Sequence, residues 1–218
     1  MYKRQGLHFD YLLFDACFMS SIEALYDLRG CADRIIASPC EVMAAGFNYT
    51  DILPHLLADA GTSYDLPGVC SEYYDYYMNR ATTKSGCIAL TVTGELEPLA
   101  AIVKEIETKY PGKTYDRASL QTYEGLDEHV FYDLQGYIEA ICDEKDPLLD
   151  KFRAQMGKAF PTESRLHTPS FYSVYGLGDA PNGMHTIEDG KYSGVTTSAP
   201  CERFAPEWAQ TSWYRATH

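Results

Sequence analysis

Apolar and polar positions alternate in a way that divides the chain into short buried strands and amphipathic helices. Phe9 to Cys17 is a mostly apolar run, the pattern of a strand buried on both faces. Ser20-Ser21-Ile22-Glu23 follows and reads as a capping box, with Ser20 at the N-cap and Glu23 three residues on. Met19, Ile22, Leu25 and Tyr26 then repeat at helical spacing, and Gly30 offers a left-handed terminus. Arg34 to Ser38 predicts a second short buried strand, closed by Pro39. A strand, a helix and a strand in this order imply parallel pairing with a right-handed crossover. Ligands of such sheets bind beyond the carboxyl ends of the strands, so Asp15, Cys17, Ser38 and Glu41 are expected at one rim.

Further along, residues 48–60 and 71–79 are predicted helical, and the tyrosines at 73, 74, 76 and 77 are expected to pack between layers. Cys87 to Thr93 predicts a strand, and Leu96, Leu99, Val103 and Ile106 the inward face of a helix. Residues 127–142 read as helical. Asp146-Pro147 starts another helix with a good cap, facing Leu148, Leu149, Phe152 and Met156 inward. Beyond Ser170, tyrosine, glycine and proline punctuate short strands. There is no repeat and no clean linker. The expected division is residues 1–85, half of a sheet flanked by helices, and residues 86–218, an α+β subdomain packed on it.

Composition narrows the function. With 218 residues, 45% hydrophobic and 22% charged, the chain has the make-up of a folded globular protein rather than a disordered one. Asp and Glu number 31 against 18 Lys and Arg, a net charge of −13 with no basic cluster. That excludes nucleic acid and anionic membrane as expected partners, because phosphate binding needs a basic stripe. No apolar run approaches the roughly 20 residues that span a bilayer, and the first residues lack the apolar core of a signal peptide. The seven cysteines show neither CxxC nor Cys/His zinc spacing, which argues against a disulfide scaffold or a structural metal.

One thiol stands apart. Cys17 lies where a strand gives way to a helix, near the positive end of the helix dipole, which favours the thiolate. Asp15, two residues earlier, is expected on the same side of the strand, and a carboxylate in an apolar run needs a buried partner or a cleft to face. A small core residue is the alternative reading of Cys17.

Phe14-Asp15-Ala16-Cys17-Phe18-Met19-Ser20-Ser21-Ile22-Glu23 resembles the nucleophile motif of the clostripain-like cysteine peptidases, and Ala32 to Glu41 resembles that family's next strand and loop. Weaker similarity continues through Tyr132-Asp133-Leu134, His167-Thr168-Pro169, Ser193-Gly194-Val195 and Thr211 to Tyr214. The resemblance implies an α/β fold, part of a caspase-like sandwich with a mostly parallel sheet flanked by helices and a C-terminal α+β subdomain. It implies Cys17 as nucleophile, with its own N–H helping to hold the oxyanion. Asp15 becomes the base of a pocket for Arg or Lys, with Ser38 and Glu41 as further substrate-binding positions. It also implies export to the cell envelope or beyond, self-cleavage into two chains, and calcium in some members, although no metal-loop motif is visible here.

Ser20 stands where members often have glycine. The larger departure is the general base: the family takes it from a His-Gly pair on an earlier strand, and this sequence has no His-Gly. His8, nine residues before Cys17 on an extended strand, would lie about 30 Å away. The other five histidines are expected in surface or structural roles. The base is therefore expected from an amino-terminal half, or light chain, with Lys3-Arg4 near the boundary. A non-catalytic binding or scaffolding protein of the same fold is the alternative.

Overall fold

The computed structural model describes residues 6–57, 63–175 and 181–218; Lys3-Arg4 and the end of the expected 48–60 helix lie outside them. Its centre is the predicted strand, helix and strand: β1 (Phe9–Leu13), α1 (Ile22–Leu28) and β2 (Ala32–Ala37), with β1 and β2 parallel and Leu12 opposite Ile35. Ile35 and Ile36 are both fully buried, although adjacent strand residues point to opposite faces. Each face therefore carries a layer, which is why the strand reads as an unbroken apolar run.

On one face, Ile35 packs with Ile22, Leu25 and Tyr26 of α1. The same layer holds α4 (Leu96–Lys109), α5 (Leu134–Ile141), α6 (Pro147–Ala159) and α7 (Ser212–Thr217). The capping reading at Asp146 holds: its carboxylate accepts from the Leu148 N–H at 3.0 Å. On the other face, Ile36 packs with α2 (Tyr49–Leu56) and α3 (Leu66–Asp75), through Ile52, Val69, Cys70 and Tyr73. The tyrosine group belongs here. Tyr73 and Tyr77 are buried, and their rings join Phe47 in a chain with centroids 4.5 and 4.8 Å apart.

β3 (Cys87–Val92) pairs antiparallel with β2, and β5 (Arg165–His167) antiparallel with β3. The sheet order is β1-β2-β3-β5, a mixed α/β sheet flanked by helices. Both added strands come from beyond residue 85 and continue the same sheet. The remaining strands form two small pairs: β4 (Tyr132–Asp133) with β8 (Thr196–Thr197), and β6 (Ser170–Tyr172) with β7 (Met184–Thr186).

Several local expectations are corrected. α1 is capped by Ser21, which accepts from the Ala24 N–H at 3.3 Å, one residue later than predicted. Glu23 does not return to that terminus; its Oε1 accepts from Thr197, Ser198 and Trp208, each at 2.9 Å. Gly30 keeps a negative φ, the helix ending at Arg29 in ordinary helical geometry. Residues 127–131 are not helical, because Glu124 gathers their backbone N–H groups into a loop before Asp133 caps α5.

Asp133 is the hub of the C-terminal part. It is 1% exposed and accepts from Gly136, Ser193 N–H, Ser193 Oγ and the Tyr123 hydroxyl at 2.7–2.8 Å. These bonds bring Tyr132-Asp133-Leu134 against Ser193-Gly194-Val195. From there the chain clasps the start of α1: Gly194 O accepts from Ser20 Oγ at 2.6 Å, and the Thr196 N–H donates to Ser20 O at 2.9 Å.

Candidate active site

Past the ends of β1 and β2 the two following loops zip together. The N–H groups of Phe14, Phe18 and Ser20 donate to the carbonyls of Ile36, Cys40 and Ser38 at 2.9, 3.1 and 2.9 Å. Asp15 and Cys17 therefore sit in a turn beyond the strand rather than on it, both exposed. The helix dipole expected behind Cys17 is also displaced. α1 starts only at Ile22, and the dipole's influence fades within a turn. The donor facing the sulfur is instead the Val42 N–H, 3.3 Å from Sγ.

Cys17 is the one exposed cysteine of the seven, and all seven are free. Burial sets the others apart chemically: it pushes the Cys70 thiol up to about 12 and, with Cys40 beside it, the Cys87 thiol well above its ordinary range. Among the described residues nothing accepts from the Cys17 N–H, which leaves this donor uncommitted.

Asp15 is held by the same loop that carries Val42. The Tyr49 hydroxyl donates to Asp15 Oδ2 at 3.0 Å. Partial burial, and then the carboxylate itself, push the Tyr49 phenol up, so it remains the donor. Gly46, at φ +61°, lies against the carboxylate so closely that a Cβ there would meet Oδ2 at 2.6 Å and Oδ1 at 2.9 Å. Tyr77 fixes this glycine by donating to its carbonyl at 2.9 Å. Only glycine fits that close approach and that backbone.

Ser38 and Glu41 are placed at the rim as expected but engaged elsewhere. The buried Ser38 hydroxyl donates to the Cys40 carbonyl at 3.1 Å and accepts from the Cys40 N–H at 3.2 Å, closing a Ser-Pro-Cys turn. Glu41 Oε1 accepts from Ser173 Oγ at 2.7 Å and from the Val174 N–H at 2.9 Å. That contact ties the loop after β2 to the β6–β7 hairpin and brings the exposed Val174 and Tyr175 beside it.

No histidine among the described residues bonds to Cys17. His8 meets Asp33, His55 meets Asp65, His129 meets Glu124, and His167 meets the Thr168 carbonyl. His185 stacks on Phe171 and His218 on Tyr214. Nor do the described residues gather three or more His, Cys, Asp or Glu in an arrangement that would hold a metal ion.

Sequence reasoning missed Val42, Gly46 and Tyr49. The one signal for them was the glycine in Ala45-Gly46-Phe47, which marks a turn but not its neighbour.

The clostripain-family model matches residues 3–179. A clostripain from Bacteroides thetaiotaomicron ATCC 29148, solved with the peptide inhibitor BTN-VLTK-AOMK, is 34% identical with a TM-score of 0.85; the match covers 100% of this chain and 91% of that one. The secreted C11 cysteine protease iotapain from Bacteroides thetaiotaomicron is 34% identical, with a TM-score of 0.86 and coverage of 100% and 57%. An inactive zymogen C11 protease from Parabacteroides distasonis is 30% identical, with a TM-score of 0.81 and coverage of 97% and 59%. The chain thus spans little more than half the length of these last two. No curated protein sequence matches it.

Proposed function

Since the chain belongs to the clostripain family of cysteine peptidases, we propose that it supplies the nucleophile and the specificity carboxylate of a secreted endopeptidase that cleaves after Arg or Lys. The observation that carries this reading is the selective exposure of Cys17 at the carboxyl rim of β1 and β2, with the Asp15 carboxylate held open beside it. Cys17 Sγ attacks the scissile carbonyl carbon, and its proton passes to a histidine. The carbonyl oxygen, negative in the tetrahedral intermediate, accepts from the uncommitted Cys17 N–H. The C–N bond then breaks, the histidine protonates the departing amine, and water hydrolyses the thioester.

Asp15 receives the guanidinium or ammonium of the residue before the cleaved bond. Its geometry suits a cation: both oxygens stand beside a glycine with no side chain to intrude, and one is steadied by Tyr49. The histidine comes from an amino-terminal segment, or light chain, beyond these 218 residues. Every histidine with a described hydrogen bond is spent on another partner, and a relative such as iotapain is nearly twice as long. Secretion is proposed on the same kinship, iotapain being a secreted protease.

The test is a pair of fluorogenic peptides, one ending in Arg and one in a neutral residue, assayed on the full-length protease and its Asp15→Asn variant. Removing one partner of a partly desolvated charge pair costs about 2–5 kcal/mol. At about 1.4 kcal/mol per decade, kcat/KM for the Arg peptide is expected to fall roughly 30-fold or more, with Cys17 alkylation by iodoacetamide unchanged. An unchanged Arg-to-neutral ratio rejects the pocket.

A further inference from the structure

The residue after the nucleophile has an unusual backbone. Phe18 has φ +60°, and among the described residues Asn182 is the other non-glycine residue with a positive φ. A side chain with a Cβ resists this conformation, so it persists only where the surroundings impose it, and such residues gather at functional sites.

Two contacts impose it here. The Phe18 N–H donates to Cys40 O at 3.1 Å, and the Phe18 ring lies flat on the ring of Phe131, with centroids 4.6 Å apart and planes 4° from parallel. Phe131 comes from the loop before β4, far along the chain. Glu124 builds that loop around one buried carboxylate, 1% exposed. Its Oε1 accepts from the N–H groups of Val130 and Phe131 at 2.8 and 3.1 Å. Its Oε2 accepts from the Leu126 N–H at 3.0 Å and meets His129 Nδ1 at 2.8 Å. The Phe131 carbonyl is also tied down, accepting from the Tyr123 N–H at 3.0 Å.

We propose that Phe131 is a positioning residue for the nucleophile: its stack on Phe18 holds the left-handed turn that aims the Cys17 backbone N–H and Sγ for acyl transfer. The proposal rests on Cys17 being the nucleophile. Acyl transfer needs the N–H and the sulfur aligned together, and small misplacements of such groups cost large factors in rate. A simple alkylating agent needs only an exposed thiolate.

The variants are Phe131→Ala, Phe131→Leu, Phe131→Tyr and Phe18→Gly, the last able to hold φ +60° without a stack. In the full-length protease, Phe131→Ala is expected to lower kcat about tenfold or more. KM and the iodoacetamide alkylation rate of Cys17 stay within about twofold. Phe131→Tyr, which keeps the flat ring, restores kcat to within about threefold of the parent; Phe131→Leu, which keeps apolar cover without the ring, does not. In a Phe18→Gly background the loss on replacing Phe131 shrinks below about twofold, because the two residues act as a unit.

The Cys17 amide resonance of the ¹⁵N-labelled full-length protease gives a readout independent of turnover: it shifts in Phe131→Ala and returns in Phe131→Tyr. The proposal is overturned if Phe131→Ala lowers the melting temperature but leaves kcat and the Cys17 resonance in place. It is also overturned if turnover and alkylation fall together, or if the loss persists undiminished in Phe18→Gly. A Cys17→Ala variant that keeps its turnover rejects the nucleophile assignment instead, whatever Phe131 does.

Discussion

Replacing Gly46 by alanine probes the proposed specificity carboxylate, Asp15, without altering that residue itself. The new Cβ meets two separate penalties. At φ +61° a residue with a Cβ carries a backbone cost of about 1–2 kcal/mol. The same Cβ would stand 2.6 and 2.9 Å from the Asp15 oxygens and 3.1 Å from the carboxyl carbon, so the carboxylate has to swing away. Moving it gives up the Tyr49 hydrogen bond at 3.0 Å, worth about 0.5–1.5 kcal/mol. Together the loss of stability is about 1.5–3.5 kcal/mol. The displaced carboxylate also no longer meets a cation squarely, so kcat/KM for Arg and Lys peptides is expected to drop about tenfold or more, with neutral peptides spared.

Urea denaturation gives the first quantity, through a lower midpoint at unchanged slope, and steady-state kinetics the second. Gly30→Ala is the control: Gly30 has open space around its would-be Cβ and a negative φ, so it should gain about 0.4–1 kcal/mol. A Gly46→Ala protein with the parent's midpoint and the parent's Arg-to-neutral ratio would refute the reasoning.

Two further predictions concern the frame around the site. Asp133→Ala strips the acceptor from Tyr123, Ser193 and Gly136 in the interior, and calorimetry or urea melts should show a loss of about 3 kcal/mol or more; a loss below about 1 kcal/mol would mean the hub relaxes without cost. For the Glu124–His129 pair, burial would raise the Glu124 carboxyl, but His129 and the N–H groups of Val130, Phe131 and Leu126 outweigh it and hold it below 4.5. Glu124 in turn raises His129 above 6.5. The carboxylate's contribution is thus present above pH 4.5 and lost as pH falls through its lowered value. The imidazolium's is full below pH 6.5 and lost as pH rises through its raised value. Urea midpoints against pH should show both limbs, and His129→Gln should remove the alkaline one.

Where the sequence was legible, burial explains why. β1, α1 and β2 stood out because both faces of the sheet are covered, leaving uninterrupted apolar runs around one amphipathic turn pattern. α4 and α6 were readable from their apolar stripe and, at Asp146-Pro147, from their cap. The direction of β3 was not, since an apolar run carries no polarity and pairing is decided by the connections between strands; β5, three residues of mixed polarity, was not expected as a strand at all.

The candidate site was legible as a list of residues to consider and not as a geometry. Cys17 and Asp15 announced themselves by type and spacing, but the strand ends at Leu13 and both lie in the following turn. What surrounds them comes from distant segments: Val42 and Gly46 from the loop after β2, Tyr49 from the start of α2, Ser173 from a hairpin, Phe131 from the loop before β4. Contacts of that range leave no local pattern. Glu41 shows the consequence, a carboxylate well placed in sequence to bind a cation that the fold instead occupies with Ser173 and Val174.

The most direct test of the central claim is where a substrate-like electrophile becomes attached. The full-length protease is treated with a peptidyl acyloxymethyl ketone ending in Lys, digested, and mapped by mass spectrometry beside its Cys17→Ala variant. The account predicts a single adduct on Cys17, formed in proportion to the loss of activity, with neither adduct nor turnover in the variant. Labelling at another cysteine, or turnover that survives Cys17→Ala, would contradict it.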